Sequence, residues 1–195
     1  MILMNTKKVL FINACVREQS RTRRLADCLL SGMSGEITEI KLSDIVFPET
    51  DEAFLKQRDT LIAKQEYYSP VFSLAGEFAA ADVIVIAAPF WDLSFPAALK
   101  QYFEQINING ITFHYTEEGI PEGLCKAEKL YYVTTAGGMI YSDEYGFGYV
   151  KALAQAFYGI PDVIQIKAEG LDIAGADVEG ILKEAMLKIE DLDVK

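Results

Sequence analysis

The chain has 195 residues, 18 Lys and Arg against 29 Asp and Glu, and a formal net charge of −11 at neutral pH. With 51% hydrophobic residues it carries too much apolar material to stay disordered, and a chain of this length fills one domain, residues 1–195, without disulfide or metal staples. The acidity argues against a nucleic-acid partner, which needs a basic face.

In chain order, the opening Met1-Ile2-Leu3-Met4 is too short for the apolar core of a signal peptide. Lys8 to Asn13 reads as the first of five short, β-branched, apolar strands; the others are Ile37 to Leu42, Val83 to Ala87, Lys129 to Thr134 and Val163 to Ala168. Runs of this kind are strands buried on both faces. The amphipathic segments between them are Ser20 to Ser31, Asp51 to Ala80 with a break near Ser69-Pro70, Phe95 to Gln105, Phe147 to Tyr158 and Asp177 to Ile189. Strands and helices alternate, which predicts an α/β three-layer sandwich around a five-stranded parallel sheet. The flavodoxin-like order 2-1-3-4-5 fits, and it puts ligands at the carboxyl ends of strands one and three.

Two segments exceed what five strands need: Pro48 to Ala80, and an excursion before strand four, Asn107 to Ala127. In the second, alternating Ile111, Phe113 and Tyr115 predict a short strand before a Glu118-Gly119 turn. Long insertions of this sort serve as covers or interfaces. The residues from Glu190 to Lys195 read as a frayed tail. The longest apolar run, Val83 to Phe90, is far short of a membrane span, and three cysteines without a Cys-x-x-Cys pair suit a reducing compartment and give no metal site. The expected location is the cytoplasm, with no membrane partner.

Three loops carry the functional signal. Ala14 to Gln19 follows strand one, and Ser20 opens a helix whose free N–H groups, with the Ser20 and Thr22 hydroxyls, suit an anionic phosphate. Arg17, Arg21, Arg23 and Arg24 crowd into one eight-residue window, which predicts a local positive field in an acidic chain. The plainer alternative is an ordinary N-cap with solvated arginines. The loop has no glycine, which excludes the Gly-x-Gly-x-x-Gly dinucleotide pattern, and Walker A is absent as well.

Cys15 followed after five residues by Arg21-Thr22 also matches the phosphate loop of Cys-dependent tyrosine phosphatases, including the low-molecular-weight type. Against that stand the bulky Val16-Arg17-Glu18-Gln19 and the lack of any Asp-Pro segment to supply an acid. After strand three, the aromatic-rich Pro89-Phe90-Trp91-Asp92-Leu93 suits a flat, partly apolar ring, unless Phe90 and Trp91 merely pack inward. After strand four, Thr135-Ala136-Gly137-Gly138 allows close backbone approach, or forms an ordinary turn. A phosphate at the first loop and a heteroaromatic ring at the other two describe flavin mononucleotide (FMN).

Ala88-Pro89-Phe90-Trp91-Asp92-Leu93-Ser94, the helix residues Leu99-Lys100-Gln101-Tyr102-Phe103, the excursion Gly110-Ile111-Thr112-Phe113-His114-Tyr115 and Pro121-Glu122-Gly123-Leu124 resemble the FMN-dependent NADH:quinone oxidoreductases and azoreductases of flavodoxin-like fold. The resemblance implies a homodimer with active sites at the subunit interface, FMN as cofactor and NADH or NADPH as co-substrate. It further implies electron transfer to a small-molecule acceptor, a quinone, azo or nitro compound. Carried over by position, it makes Arg17, Ser20, Arg21 and Thr22 phosphate contacts, Pro89 to Leu93 the ring loop, and Thr135, Ala136, Gly137 and Gly138 ring-edge contacts.

The sequence departs from the common pattern at Ala14 and Cys15, where serines are usual, at Asp92, where asparagine is usual, and at Ala136, where some members carry arginine. A carboxylate at Asp92 would disfavour an anionic reduced ring or else turn away from it. His114, the single histidine, reads as a surface or interface residue, and Tyr67, Tyr68 and Tyr141 as acceptor-pocket or packing residues. The competing reading outside enzymology is a flavodoxin-type electron carrier, which has no use for the two long segments.

Overall fold

The computed structural model describes residues 6–192. The Met1–Met4 run and the last three residues of the expected tail lie outside the described residues. Five parallel strands form the central sheet: β1 (Lys8–Asn13), β2 (Glu36–Lys41), β3 (Val83–Ala87), β6 (Lys129–Thr135) and β7 (Asp162–Ala168). Their order is β2-β1-β3-β6-β7, the expected 2-1-3-4-5. The chain reverses direction across the sheet between β1 and β3, so the loops after these strands open a crevice at their carboxyl ends.

The middle strands are buried as expected, because helices cover both faces: every residue of β3 and all but the first of β1 are inaccessible. β2 departs from that expectation. Only Ile40 is buried, and Ile37 stays 43% exposed, since an edge strand has a neighbour on one side only.

The helices are α1 (Arg21–Ser31), α2 (Glu52–Ala63), α3 (Ser73–Ala80), α4 (Ala97–Ile106), α5 (Phe147–Leu153) and α6 (Val178–Glu190). α1 and α6 pack on one face of the sheet around Leu25, Leu29, Leu182 and Ala185. The other face buries α3, α4 and α5 against Ile12, Ile86 and Tyr132.

Local chemistry explains where the boundaries moved. Pro96 precedes the first turn of α4 and holds Phe95 out of helical conformation, so the helix starts two residues later than its apolar pattern. The single break expected near Ser69-Pro70 is a wider gap, beginning at Gln65 with a left-handed φ of 57° and ending in a 3-10 turn over Pro70–Phe72. α5 runs on as a wide π turn, Ala154–Tyr158, and stops at Gly159 with φ of 72°.

The strand expected in the excursion is β4 (Phe113–Tyr115). It pairs antiparallel with β5 (Pro121–Gly123), whose own pattern had shown no strand signal. Gly123 lies so close to the backbone of Tyr158 and Gly159 that a Cβ would collide with it, which fixes the hairpin against the end of the α5 extension.

Candidate functional site

The loop after β1 turns on Asn13. Its side-chain carbonyl accepts from Cys15 N at 2.9 Å and its amide donates to Glu39 at 2.8 Å, while Ala14 N donates to Ala87 O at 2.8 Å. Val16 to Gln19 stand in solvent, and the chain re-enters at Ser20, whose hydroxyl accepts from Arg23 N at 3.2 Å and caps α1. The N–H groups of Arg21 and Thr22 have no intrahelical acceptor, so the helix start offers two free donors beside the Ser20 hydroxyl. Thr22 is buried, its hydroxyl 2.6 Å from that of Thr135 at the end of β6.

The expected cluster of free positive charge is largely neutralised. Arg21 pairs with Asp172 at 2.7 Å, Arg23 with Asp27 and Glu39 at 2.6 Å each, and Arg24 with Glu179 at 2.7 Å. Of the four, only Arg17 has no ion pair among the described residues. Apart from Asp27, one turn along α1 from Arg23, the counter-ions come from β2, α6 and the loop after β7, which the sequence does not reveal.

After β3, Ala88 N and Phe90 N donate to Val133 O and Thr135 O at 2.9 Å each, extending the sheet pairing past the strand. Trp91 and Ser94 then exchange backbone bonds of 3.1 and 2.8 Å around Asp92 and Leu93, whose φ angles are 49° and 67°. This is a two-residue primed turn, a conformation usually left to Asn and Gly. Asp tolerates it through its short polar side chain, whereas Leu93 holds backbone strain there. The Ser94 hydroxyl donates to Tyr145 O at 2.6 Å, tying the turn to the loop after β6.

In that loop the N–H groups of Gly137, Gly138 and Met139 find no acceptor among the described residues. Gly137 abuts the Asp172 carboxylate so closely that a Cβ would overlap it. Ala136, Gly137 and Gly138 are stitched to the loop after β7 by Leu171 N→Ala136 O at 3.2 Å, Asp172 N→Gly137 O at 2.8 Å and Gly170 N→Gly138 O at 2.9 Å.

These loops enclose a cleft of about 780 Å³. The structure brings together Arg17, Ser20, Arg21 and Thr22 from the first loop, Pro89, Phe90 and Trp91 from the second, and Thr135, Ala136 and Gly137 from the third. Asp92 and Leu93 form the exposed turn tip and Gly138 lies beyond the lining. Sequence reasoning missed Leu171 and Asp172, the fourth wall; the signal available was that the fifth strand's loop opens on the same edge as the other three.

A second hollow of about 830 Å³ lies on the far side of the β1–α1 loop, beside Glu39, Lys41 and Asp44. None of the loops after β3, β6 and β7 reaches it, and four of its charges are paired, Arg23 with Glu39 and Lys41 with Asp44.

The phosphatase reading fails on Cys15. Its Sγ is buried against Ala87 O at 3.8 Å, and burial raises the thiol's pKa, outweighing the hydrogen bond from Ser20 and the attraction of Arg23. A nucleophilic cysteine needs the opposite shift. His114 lies on β4, its Nε2 3.0 Å from Glu122, outside the cleft. Tyr67 packs over Gly110, and Tyr68 and Tyr141 are exposed.

Residues 7–192 match the family described as Flavodoxin-like fold. An FMN-dependent NADH:quinone oxidoreductase 2 of Clostridium acetobutylicum is 37% identical over 196 residues, covering 94% of this chain and 96% of that one. The chain belongs to this flavodoxin-like oxidoreductase family. A second relative, an FMN-dependent NADH:quinone oxidoreductase of Lachnoclostridium phytofermentans, is 37% identical over 93% of this chain and 95% of its own.

Among solved structures, an azoreductase of Bacillus anthracis superposes with a TM-score of 0.82 at 23% identity, covering 95% of this chain and 97% of that one, which speaks to the flavodoxin-like fold. An FMN-dependent NADH-azoreductase of Bacillus anthracis in complex with FMN has a TM-score of 0.79 at 25% identity, over 95% and 96% of the two chains. The family expected from the loop and excursion motifs is therefore the one found.

Proposed function

We propose that the chain is an FMN-dependent NADH oxidoreductase that passes two electrons to quinones or azo compounds. The observation that carries this reading is the single cleft joining the first turn of α1 to the loops after β3, β6 and β7. Its donors and shape fit the cofactor. Hydroxyls, two free helix N–H groups and Arg17 and Arg21 stand at one end, and an indole 39% exposed stands at the other with the Gly137 N–H, which has no acceptor among the described residues. FMN bound there supplies the redox chemistry, accepting a hydride from the nicotinamide and releasing two electrons to the acceptor.

The chain's own groups hold and orient. Ser20, Arg21, Thr22 and Arg17 grip the phosphate, Pro89, Phe90 and Trp91 with the Asp92-Leu93 turn border the ring, and Thr135, Ala136, Gly137 and Gly138 address its polar edge. No acid–base triad is required, because the reacting atoms belong to the two nucleotides and the protein's contribution is to stack them.

Four finer points belong to the same reading. Residues 1–195 act as one domain, and NADPH is an alternative donor. The working form is a homodimer, supported by α2, which buries no residue fully, and by the exposed Trp91, Leu93, Met139 and Tyr141 around the cleft mouth. The protein works in the cytoplasm without nucleic acid or membrane, supported by three free cysteines, by the charge of −11 and by the absence among the described residues of a helix able to span a bilayer.

The test is the visible spectrum of the purified protein. Flavin bands bleached by NADH with no added reductase, and restored by a soluble quinone, are expected; bleaching without a reductase also separates this enzyme from an electron carrier. A colourless protein that takes up no FMN and leaves NADH unoxidised overturns the reading. Light scattering at micromolar concentration checks the dimer.

A further inference from the structure

We propose that Asp172 is a built-in competitor for the cofactor phosphate: it occupies Arg21 and so sets how tightly, and how selectively over unphosphorylated flavin, the cleft holds FMN. The inference rests on the functional reading above and concerns a residue that no motif singled out.

Three observations carry it. Arg21 and Asp172 both line the cleft, and Arg21 Nη1 donates to Asp172 Oδ1 at 2.7 Å and to Leu171 O at 3.4 Å, which turns the guanidinium toward the loop after β7. The carboxylate is held in place, since Asp172 N donates to Gly137 O at 2.8 Å and Gly137 is flush against the side chain. The neighbouring arginines do not compensate: Arg24 is engaged by both oxygens of Glu179 at 2.9 and 2.7 Å, and Arg23 is turned to Asp27 and Glu39. Arg17 is thus the one cation of the four left without an ion pair among the described residues.

An exposed ion pair such as Arg21–Asp172 contributes little, and a phosphate carrying nearly two charges makes stronger, charge-assisted bonds to a guanidinium. The phosphate therefore wins Arg21. Asp172 cannot retreat far, because its backbone is tied to Gly137, and its negative charge stays beside the phosphate. The resulting repulsion weakens FMN and leaves riboflavin, which has no phosphate, untouched. A purely structural role predicts the reverse sign, since loosening the loop would weaken both flavins.

The experiment titrates flavin-stripped protein with FMN and with riboflavin, following quenching of flavin fluorescence. Asp172→Asn keeps the shape and removes the charge; FMN affinity is expected to rise about tenfold, with riboflavin affinity unchanged. Asp172→Glu, which keeps the charge, stays near wild type. In an Arg21→Gln background the Asp172→Asn gain shrinks to the repulsion term alone. If Asp172→Asn folds poorly by circular dichroism, Asp172→Ser replaces it with the same expected direction. FMN binding that is unchanged or weaker in the neutral variants, or a gain shared equally by riboflavin, overturns the proposal alone. A wild-type protein that binds neither flavin overturns the functional reading and this proposal with it.

Discussion

The two ends of the cleft are built by different means. The end proposed for the phosphate is made of side chains at the start of α1, where Ser20, Arg21 and Thr22 stand at consecutive positions and the helix supplies free N–H groups. The end proposed for the ring is made of backbone: a two-residue turn forced left-handed at Asp92 and Leu93, and a Gly137-Gly138 stretch whose N–H groups have no partner among the described residues. Charge chemistry dominates one end and conformation the other. The ends meet at a buried contact, the Thr22–Thr135 hydroxyl pair at 2.6 Å. Substitutions at the phosphate end should therefore distinguish FMN from riboflavin, and substitutions at the ring end should not.

The largest expected effect tests the ring end. Trp91→Ala removes the indole that borders the cleft and should weaken FMN and riboflavin alike by roughly 30-fold, about 2 kcal/mol of aromatic contact. A loss confined to FMN would mean that the tryptophan serves the phosphate end.

Next comes the junction. Thr22→Val leaves the Thr135 hydroxyl buried without a partner, at a cost of about 1–2 kcal/mol, and lowers the melting temperature by about 2–4 °C per kcal/mol. Thr22→Val combined with Thr135→Val should recover most of that stability, because both polar groups are then gone. A Thr22→Val protein as stable as wild type would break the picture of two ends joined there.

A smaller gain is expected from Leu93→Gly. Glycine adopts the φ of 67° without strain and should stabilise the protein by about 1 kcal/mol in chemical denaturation. No gain would show that the turn is not held in this conformation in solution.

The smallest effect lies at the opposite edge of the sheet and serves as a control. Asp82 is held below the usual carboxylate pKa by the Lys126 ammonium and by the backbone N–H of Lys8, at 2.8 Å. Its contribution, about 0.5 kcal/mol, is present above the unfolded carboxylate pKa of about 3.9 and is lost as the pH falls through the lower folded value. Asp82→Asn should flatten that part of an acid-unfolding curve without changing flavin affinity.

How legible each part was follows from the range of the forces involved. β1 and β3 could be delimited to the residue because each centres on a short apolar, β-branched run, and burial on two faces suits such a run to a middle strand. β5 was not legible: Pro121-Glu122-Gly123 has no strand character and exists as one through pairing with β4 and through the close approach of Gly123 to Tyr158 and Gly159. At the site, Ser20 and Thr22 announced themselves by position at a helix start, whereas the partners of Arg21 and Arg24 lie 151 and 155 residues away in sequence. No local pattern encodes such pairs.

By itself, then, the sequence determined the alternation of elements, the strand order and the loops that meet in one cleft, because apolar periodicity and helix-start chemistry act within a few residues. Only the tertiary structure decided the charge of the site. Three of the four arginines that read as a positive field, Arg21, Arg23 and Arg24, meet Asp172, Glu39 and Glu179 once the sheet closes, since electrostatic pairing depends on distance in space and not on separation along the chain.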